Sequence, residues 1–156
     1  MKSFIILSEK YAAIFSGFLN DSIMESMFSG SSYLDRFYGS TFEELFSSAV
    51  AGMARLMGRQ PGRHLHVSRK EIIAETGNEL ILYTILSRVL YYFEAQSELY
   101  SNASFPEGII PGETQVLLTG YRINSRFRYD YVIKAPTFHR LVLRPAEGYG
   151  TIVFDI

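Results

Sequence analysis

The 156-residue chain has no cysteine, no tryptophan, almost no net charge (-1) and no long uninterrupted apolar run. Without cysteine there is neither a disulfide framework nor a thiolate metal site, and the composition suits a reducing compartment such as the cytoplasm. The near-zero charge excludes a global field that would draw nucleic acid or a membrane surface to the chain. No stretch reaches the roughly 18 consecutive apolar residues that a membrane-spanning helix needs. The first ten residues do not read as a signal peptide, because Ser8-Glu9-Lys10 interrupts the apolar run early.

What is present is aromatic and unevenly charged. Twelve Phe and eleven Tyr supply large apolar side chains, and the length suits one domain with a sizeable core. Acidic residues predominate over the first 50 positions. From residue 51 to 76 the balance reverses, with Arg55, Arg59, Arg63, Arg69 and Lys70 against Glu71 and Glu75. Clustered Arg and Lys attract phosphates by charge, although a solvated loop explains the same run.

Local patterns divide the chain into elements. A short strand is expected over residues 4–7 and an interrupted helix over residues 8–28. Residues 33–38 fit a strand ending at Gly39. Thr41-x-x-Glu44 is a capping box that opens a helix. Phe42, Leu45, Phe46, Ala49, Val50, Met53, Leu56 and Met57 form its apolar stripe, and Gly58 ends it. After a basic Pro-Gly loop, a strand is expected over 70–74. A second helix over 79–96, capped by Asn78, is apolar around most of its circumference. A Pro/Gly loop follows over 102–112, then a strand over 114–122 perturbed at Gly120. Strands over 129–138, 139–143 and 150–156 complete the chain.

The last 26 residues concentrate ligand chemistry, since Lys134, His139 and Asp155 sit among apolar neighbours. Asp155 next to the Ile156 carboxylate reads either as a solvated terminus or as half of an anion-lined cation site. A hard divalent cation (Ca²⁺, Mg²⁺ or Mn²⁺) wants several oxygen ligands. The strand region near residue 33 offers the Ser32 hydroxyl and the Asp35 carboxylate to complete a weak, water-rich shell. His139 reads as ligand, proton shuttle or hydrogen-bonded strand histidine. His64-x-His66 puts two imidazoles on one face of an extended segment, a weak transition-metal signal. Lys134 has two readings, a partner for Asp155 or a snorkelling surface lysine. No Ser-His-Asp spacing, phosphate-cradling glycine loop or poised carboxylate pair points to an independent enzyme.

Four blocks, in order, resemble the archease family. Gly39-Ser-Thr-Phe-Glu-Glu-Leu-Phe-Ser-Ser-Ala49, followed by Met53-Ala-Arg-Leu-Met57, is similar to the family's Gly-x-Thr/Ser-x-Glu-Glu-Leu helix. Leu82-Tyr-Thr-Ile-Leu-Ser-Arg-Val-Leu90 is similar to its second helix, Leu-Tyr-Asp-Trp-Leu-x-Glu-Leu-Leu. Lys134-Ala-Pro-Thr-Phe-His139 resembles its Lys-Ala-x-Thr-Tyr/Phe-His, and Val153-Phe-Asp-Ile156 resembles its Val-Ile-Phe-Asp-Ile ending. The resemblance implies an α/β (α+β) domain over residues 29–156, in which a mixed sheet packs against two main helices. Residues 1–28 have no counterpart in the family and are expected to be a partly helical extension.

The resemblance also implies a function. Family members activate the RtcB-type, GTP-dependent RNA ligase of tRNA splicing, aiding its guanylylation and turnover without catalysing ligation. They carry a divalent cation on an N-terminal Asp and the C-terminal Asp with its following residue, which here implies Asp155 and Ile156. The expected partner is that ligase, with any RNA contact indirect, in the cytoplasm.

This chain departs from the family at several acids. Counting back from Gly39, the family's His-Thr-Ala-Asp falls on Ser29, Gly30, Ser31 and Ser32. The metal-binding Asp is therefore Ser32, and Asp35 is the nearest carboxylate. The acids of the second helix become Thr84 and Arg88, and the acid before the Lys-Ala block becomes Val132. Two further readings stay open: a diverged binding or chaperone-like module without the cation, and a metal hydrolase using His64, His66 and His139.

Overall fold

The protein is described by a computed structural model covering residues 32–156. The strand and helix expected over residues 4–28 lie outside the described residues. In chain order the elements are β1 (Ser32–Tyr38), α1 (Phe42–Met57), β2 (Gly58–Arg59), β3 (Leu65–Ile73), α2 (Asn78–Gln96), β4 (Glu98–Ser104), β5 (Thr114–Arg122), β6 (Arg128–Tyr129), β7 (Ala135–Arg144) and β8 (Tyr149–Asp155). A short 3-10 turn, Pro145–Glu147, links β7 to β8.

Helix α1 forms where the cap and the apolar stripe place it. Thr41 Oγ1 accepts the Glu44 amide at 3.1 Å. The return half of the box lands one residue early: the Glu44 carboxylate accepts the Ser40 amide at 2.7 Å and the Ser40 hydroxyl at 2.8 Å. These bonds, the Ser40 amide first, hold the Glu44 carboxyl below its usual range. Leu45, Phe46, Ala49, Val50, Met53 and Met57 are fully buried along the stripe. At the other end, the Tyr131 and Asp130 amides donate to the Leu56 and Met57 carbonyls, groups a helix terminus leaves without partners.

Helix α2 starts differently from expectation. Gly77, without a side chain to offer, is the N-cap, and Asn78 is already helical. Packing carries the helix in place of a cap: Ile81, Leu82, Ile85, Leu86 and Val89 are wholly buried. Ser97 in the left-handed region (φ 55°) ends it.

The expected two-helix α+β architecture is what forms, with the strands divided among three sheets, all antiparallel among the described residues. Their orders are β1-β8-β7, β2-β6 and β3-β5-β4. Helix α1 packs on β4 and β1, and α2 packs on β7 and β4, so the core lies between the helices and the two larger sheets.

Three strand expectations change. β3 starts at Leu65 because it pairs with β5 along its whole length, from Leu65 opposite Arg122 to Ile73 opposite Thr114. β4 forms just after α2 and takes in the first three residues of the expected loop. Its buried Glu98, Leu99 and Tyr100 show no alternation, and a register shift between Tyr100 and Asn102 obscures the period further. The two strands expected over 129–138 and 139–143 give way to a single irregular β7. Its register shifts between Thr137 and Val142, and Arg140 sits at φ 57°.

Candidate functional site

β8 is the centre of its sheet, so its last residue has a neighbour on each side. Asp155 stands opposite Ser32 of β1 and opposite Ala135 of β7. The Lys134 amide donates to the Asp155 carbonyl at 2.8 Å. Residues directly opposite in an antiparallel pair share a face, so the Ser32 hydroxyl and the Asp155 carboxylate project to the same side. Asp155 and Lys134 are exposed, and Ser32 and Ile156 are half-buried. This sheet end therefore gathers Ser32, Lys134, Asp155 and Ile156.

Asp35 does not join them. It lies opposite Ile152, on the face it shares with Tyr33 and Phe37, which point into the core. Its Oδ2 is buried with no hydrogen-bond partner among the described residues, and a β-carbon on Gly52 of α1 would stand 2.5 Å from it. Burial pushes the Asp35 carboxyl up to about 7, against the opposing pulls of Arg55 and of the Arg36 amide. Burial, and next the Asp35 charge, raise the Tyr33 hydroxyl as well. The four residues expected around one cation thus divide: Ser32 and Asp155 share one face, Asp35 lies on the other, and Ile156 follows Asp155 with its side chain packed against the core. The cause is the two-residue period of a strand.

His139 is exposed on the irregular part of β7, past Thr137, which pairs with Val153. It lies on a different sheet from His66. His64 Nε2 lies 2.6 Å from the Gln60 carbonyl, and the ring stacks on Tyr121 with centroids 4.1 Å apart. The three histidines do not converge, and no group of three or more His, Cys, Asp or Glu side chains with metal-binding geometry occurs among the described residues.

Polar partnerships that sequence spacing did not reveal surround α2. The Thr84 hydroxyl donates to Glu75 at 2.9 Å, and Arg88 pairs with Glu71 at 3.0 Å. Tyr92 also donates to Glu71. Where the resemblance leads one to expect acids on this helix, acids at and beyond the end of β3 face it instead. Glu98, buried at the start of β4, takes Arg69 at 3.0 Å, Arg122 at 3.1 Å and the Tyr100 hydroxyl at 2.7 Å. Burial alone would raise the Glu98 carboxyl, but these three donors outweigh it and hold it low.

Comparison with known proteins agrees with this architecture. Residues 35–156 match the archease protein family (MTH1598/TM1083). The protein archease of Thermoplasma acidophilum is 37% identical over 123 residues, covering 76% of this chain and 83% of the relative. That of Thermoplasma volcanium is 35% identical over 125 residues, covering 76% and 88%. Among solved structures, the solution structure of Methanobacterium thermoautotrophicum protein 1598 superposes with a TM-score of 0.61 at 19% identity, covering 81% of this chain and 94% of that one. The Thermotoga maritima crystal structure, described as an archease and possible chaperone, gives 0.56 at 18% identity, covering 82% and 91%. A family match that runs from β1 through Asp155 and Ile156 is decisive: this chain belongs to the archease family.

Proposed function

We propose that this protein is an accessory factor that promotes guanylylation and turnover of a GTP-dependent RNA-splicing ligase of the RtcB type by direct protein contact. One observation carries the reading: within an archease fold, Ser32, Lys134 and Asp155 meet at one end of the β1-β8-β7 sheet. The exposed Lys134 and His139 supply polar groups for a partner on the same sheet.

The same sheet end fits a loosely held divalent cation. The Asp155 carboxylate, a main-chain oxygen of Ile156 and the Ser32 hydroxyl would hold it, with water completing the six to eight oxygens such ions take. A bound cation would supply local positive charge for an acidic or phosphate group of the partner. Asp35, on the opposite face, takes no part.

The test is a reconstituted ligation with purified ligase, GTP and broken RNA, following ligase guanylylation and multiple turnover. Addition of this protein is expected to raise both, and Asp155→Ala is expected to lose most of the effect. No change on adding the wild-type protein would sink the proposal. A second reading is favoured by Ser32 standing where the family has its Asp: a protein-binding module that works without a cation. It predicts that ligase stimulation, or binding of another protein, survives Asp155→Ala and chelator alike.

A further inference from the structure

The basic loop of the sequence acquires partners in the fold. Arg59 and Arg128 are directly opposite each other on the β2-β6 ladder. Arg63 follows Gly62, and a β-carbon on Gly62 would stand 3.8 Å from Arg126 Nη1. Four arginines from two distant segments thus meet at one tip. All four are exposed, and none forms an ion pair among the described residues. Like charges directly opposite on a ladder repel, so this arrangement is relieved by a polyanion. The carboxylates nearby do not neutralise it. Glu98 is buried and already takes two other arginines, and Asp130 is a single exposed acid.

The tip is built, not incidental. Gln60, only 5% exposed, joins the two segments. Its Oε1 accepts the Asn124 amide at 2.7 Å, its Nε2 donates to the Arg122 carbonyl at 3.5 Å, and its own carbonyl meets His64. Asn124 Oδ1 then accepts the Arg126 amide at 2.9 Å, shaping the second loop.

Aromatic rings adjoin the charge. Tyr129, next to Arg128, is 59% exposed and is steadied by edge contacts with Phe127 and Phe93. His64, next to Arg63, stacks on Tyr121, and both line an open groove of about 580 Å³. Ser68, Ser101, Thr119 and His66 add hydrogen-bonding groups to a lining that Val67 and Gly120 complete.

From this combination we infer that the arginine tip and the adjoining groove form a binding surface for single-stranded RNA. The guanidiniums of Arg59, Arg63, Arg126 and Arg128 take backbone phosphates. Tyr129 and the His64–Tyr121 stack take unpaired base faces, and the groove hydroxyls meet ribose 2′-hydroxyls. Duplexes bury their base faces and deoxyribose lacks the hydroxyl, so both bind more weakly. The inference goes beyond the ligase-activator reading and is tested without ligase.

The measurement is fluorescence anisotropy of labelled single-stranded RNA titrated with the full chain over a range of salt. Four phosphate contacts predict that log affinity falls with log salt at a slope of about -3. Arg63→Gln/Arg126→Gln should reduce that slope to roughly half. Tyr129→Ala should weaken RNA about fivefold or more while leaving heparin binding unchanged. Arg144→Gln, which removes an arginine paired with Glu147 elsewhere, should change nothing. Thermal midpoints establish that each variant is folded, and the wild-type salt slope stands as a test if one is not. Absence of saturable binding at low salt would overturn the inference. So would equal affinity for DNA, duplex or heparin, or a double variant whose RNA affinity and salt slope are those of wild type.

Discussion

The Asp35 carboxylate occupies the space that a side chain on Gly52 would need: a β-carbon there would stand 2.5 Å from Asp35 Oδ2. Strand β1 carries a buried acid against α1 because the helix presents bare backbone at that turn. Gly52→Ala gains about 1 kcal/mol of helix propensity but meets an overpacking cost of roughly 1–3 kcal/mol. A net loss in urea-unfolding stability is expected in the wild-type background. In an Asp35→Ala background the clash is gone, so Gly52→Ala should stabilise. Additive effects of the two substitutions would mean that the residues are not coupled.

Asp35 also sets a pH dependence. Its folded-state pKa, about 7, lies above the ordinary 3.8 because of burial. Between those values the folded chain holds a proton that the unfolded chain releases, so stability is fully present below about pH 4 and falls as pH rises toward 7. The lost contribution is on the order of 4 kcal/mol. Glu98, held low by its donors, acts in the opposite sense and loses its contribution only under acid. Asp35→Asn isolates the effect. Its stability relative to wild type should rise from pH 4 to pH 8 and then level off. Denaturant curves at fixed temperature across that range supply the comparison, and a flat difference would remove Asp35 as the source.

The elements best legible in the sequence are those with closed local signals. Helix α1 had a cap, a stripe and a terminating glycine, and strand β5 had both ends readable. The separation of Asp35 from Ser32 was also legible in principle, since residues three apart on a strand face opposite ways. A carboxylate three residues from a hydroxyl suits a cation in a loop, and only the strand period sets the two on opposite faces. Strand β4 had no such signal, because its buried Glu98 and Tyr100 are defined by Arg69 and Arg122 from other strands. The meeting of Arg59 with Arg128 was likewise out of reach. It depends on pairing across most of the chain and on Gln60, one buried amide in a basic loop.

Gly120, visible in sequence as a break in alternation, has a structural cause. A β-carbon there would run into the backbone carbonyl of Leu99 and crowd Tyr100 Cα on the neighbouring strand. Backbone cannot yield as a flexible side chain can, so Gly120→Ala should cost about 3 kcal/mol or more. Gly112→Ala provides a contrast. Nothing lies near its β-carbon position, and the cost there comes only from its φ of 87°. Thermal unfolding of the two variants should rank Gly120→Ala as clearly the worse.

Ser32 opposite Asp155 allows the cation proposal to be tested by restoring a carboxylate. Ser32→Asp places two anions directly across a ladder, which repel without metal. The variant should therefore unfold at a lower temperature than wild type in chelator. With millimolar Ca²⁺ or Mn²⁺ the order should reverse, because an ion that binds only the folded state stabilises it by about 2.7 kcal/mol when present at one hundred times its dissociation constant. Wild type, with one side-chain carboxylate and a hydroxyl, should show a smaller shift that Asp155→Asn abolishes. Asp35→Asn should leave both metal shifts unchanged, since that side chain projects from the opposite face. A metal shift that survives Asp155→Asn would place the cation elsewhere on the molecule.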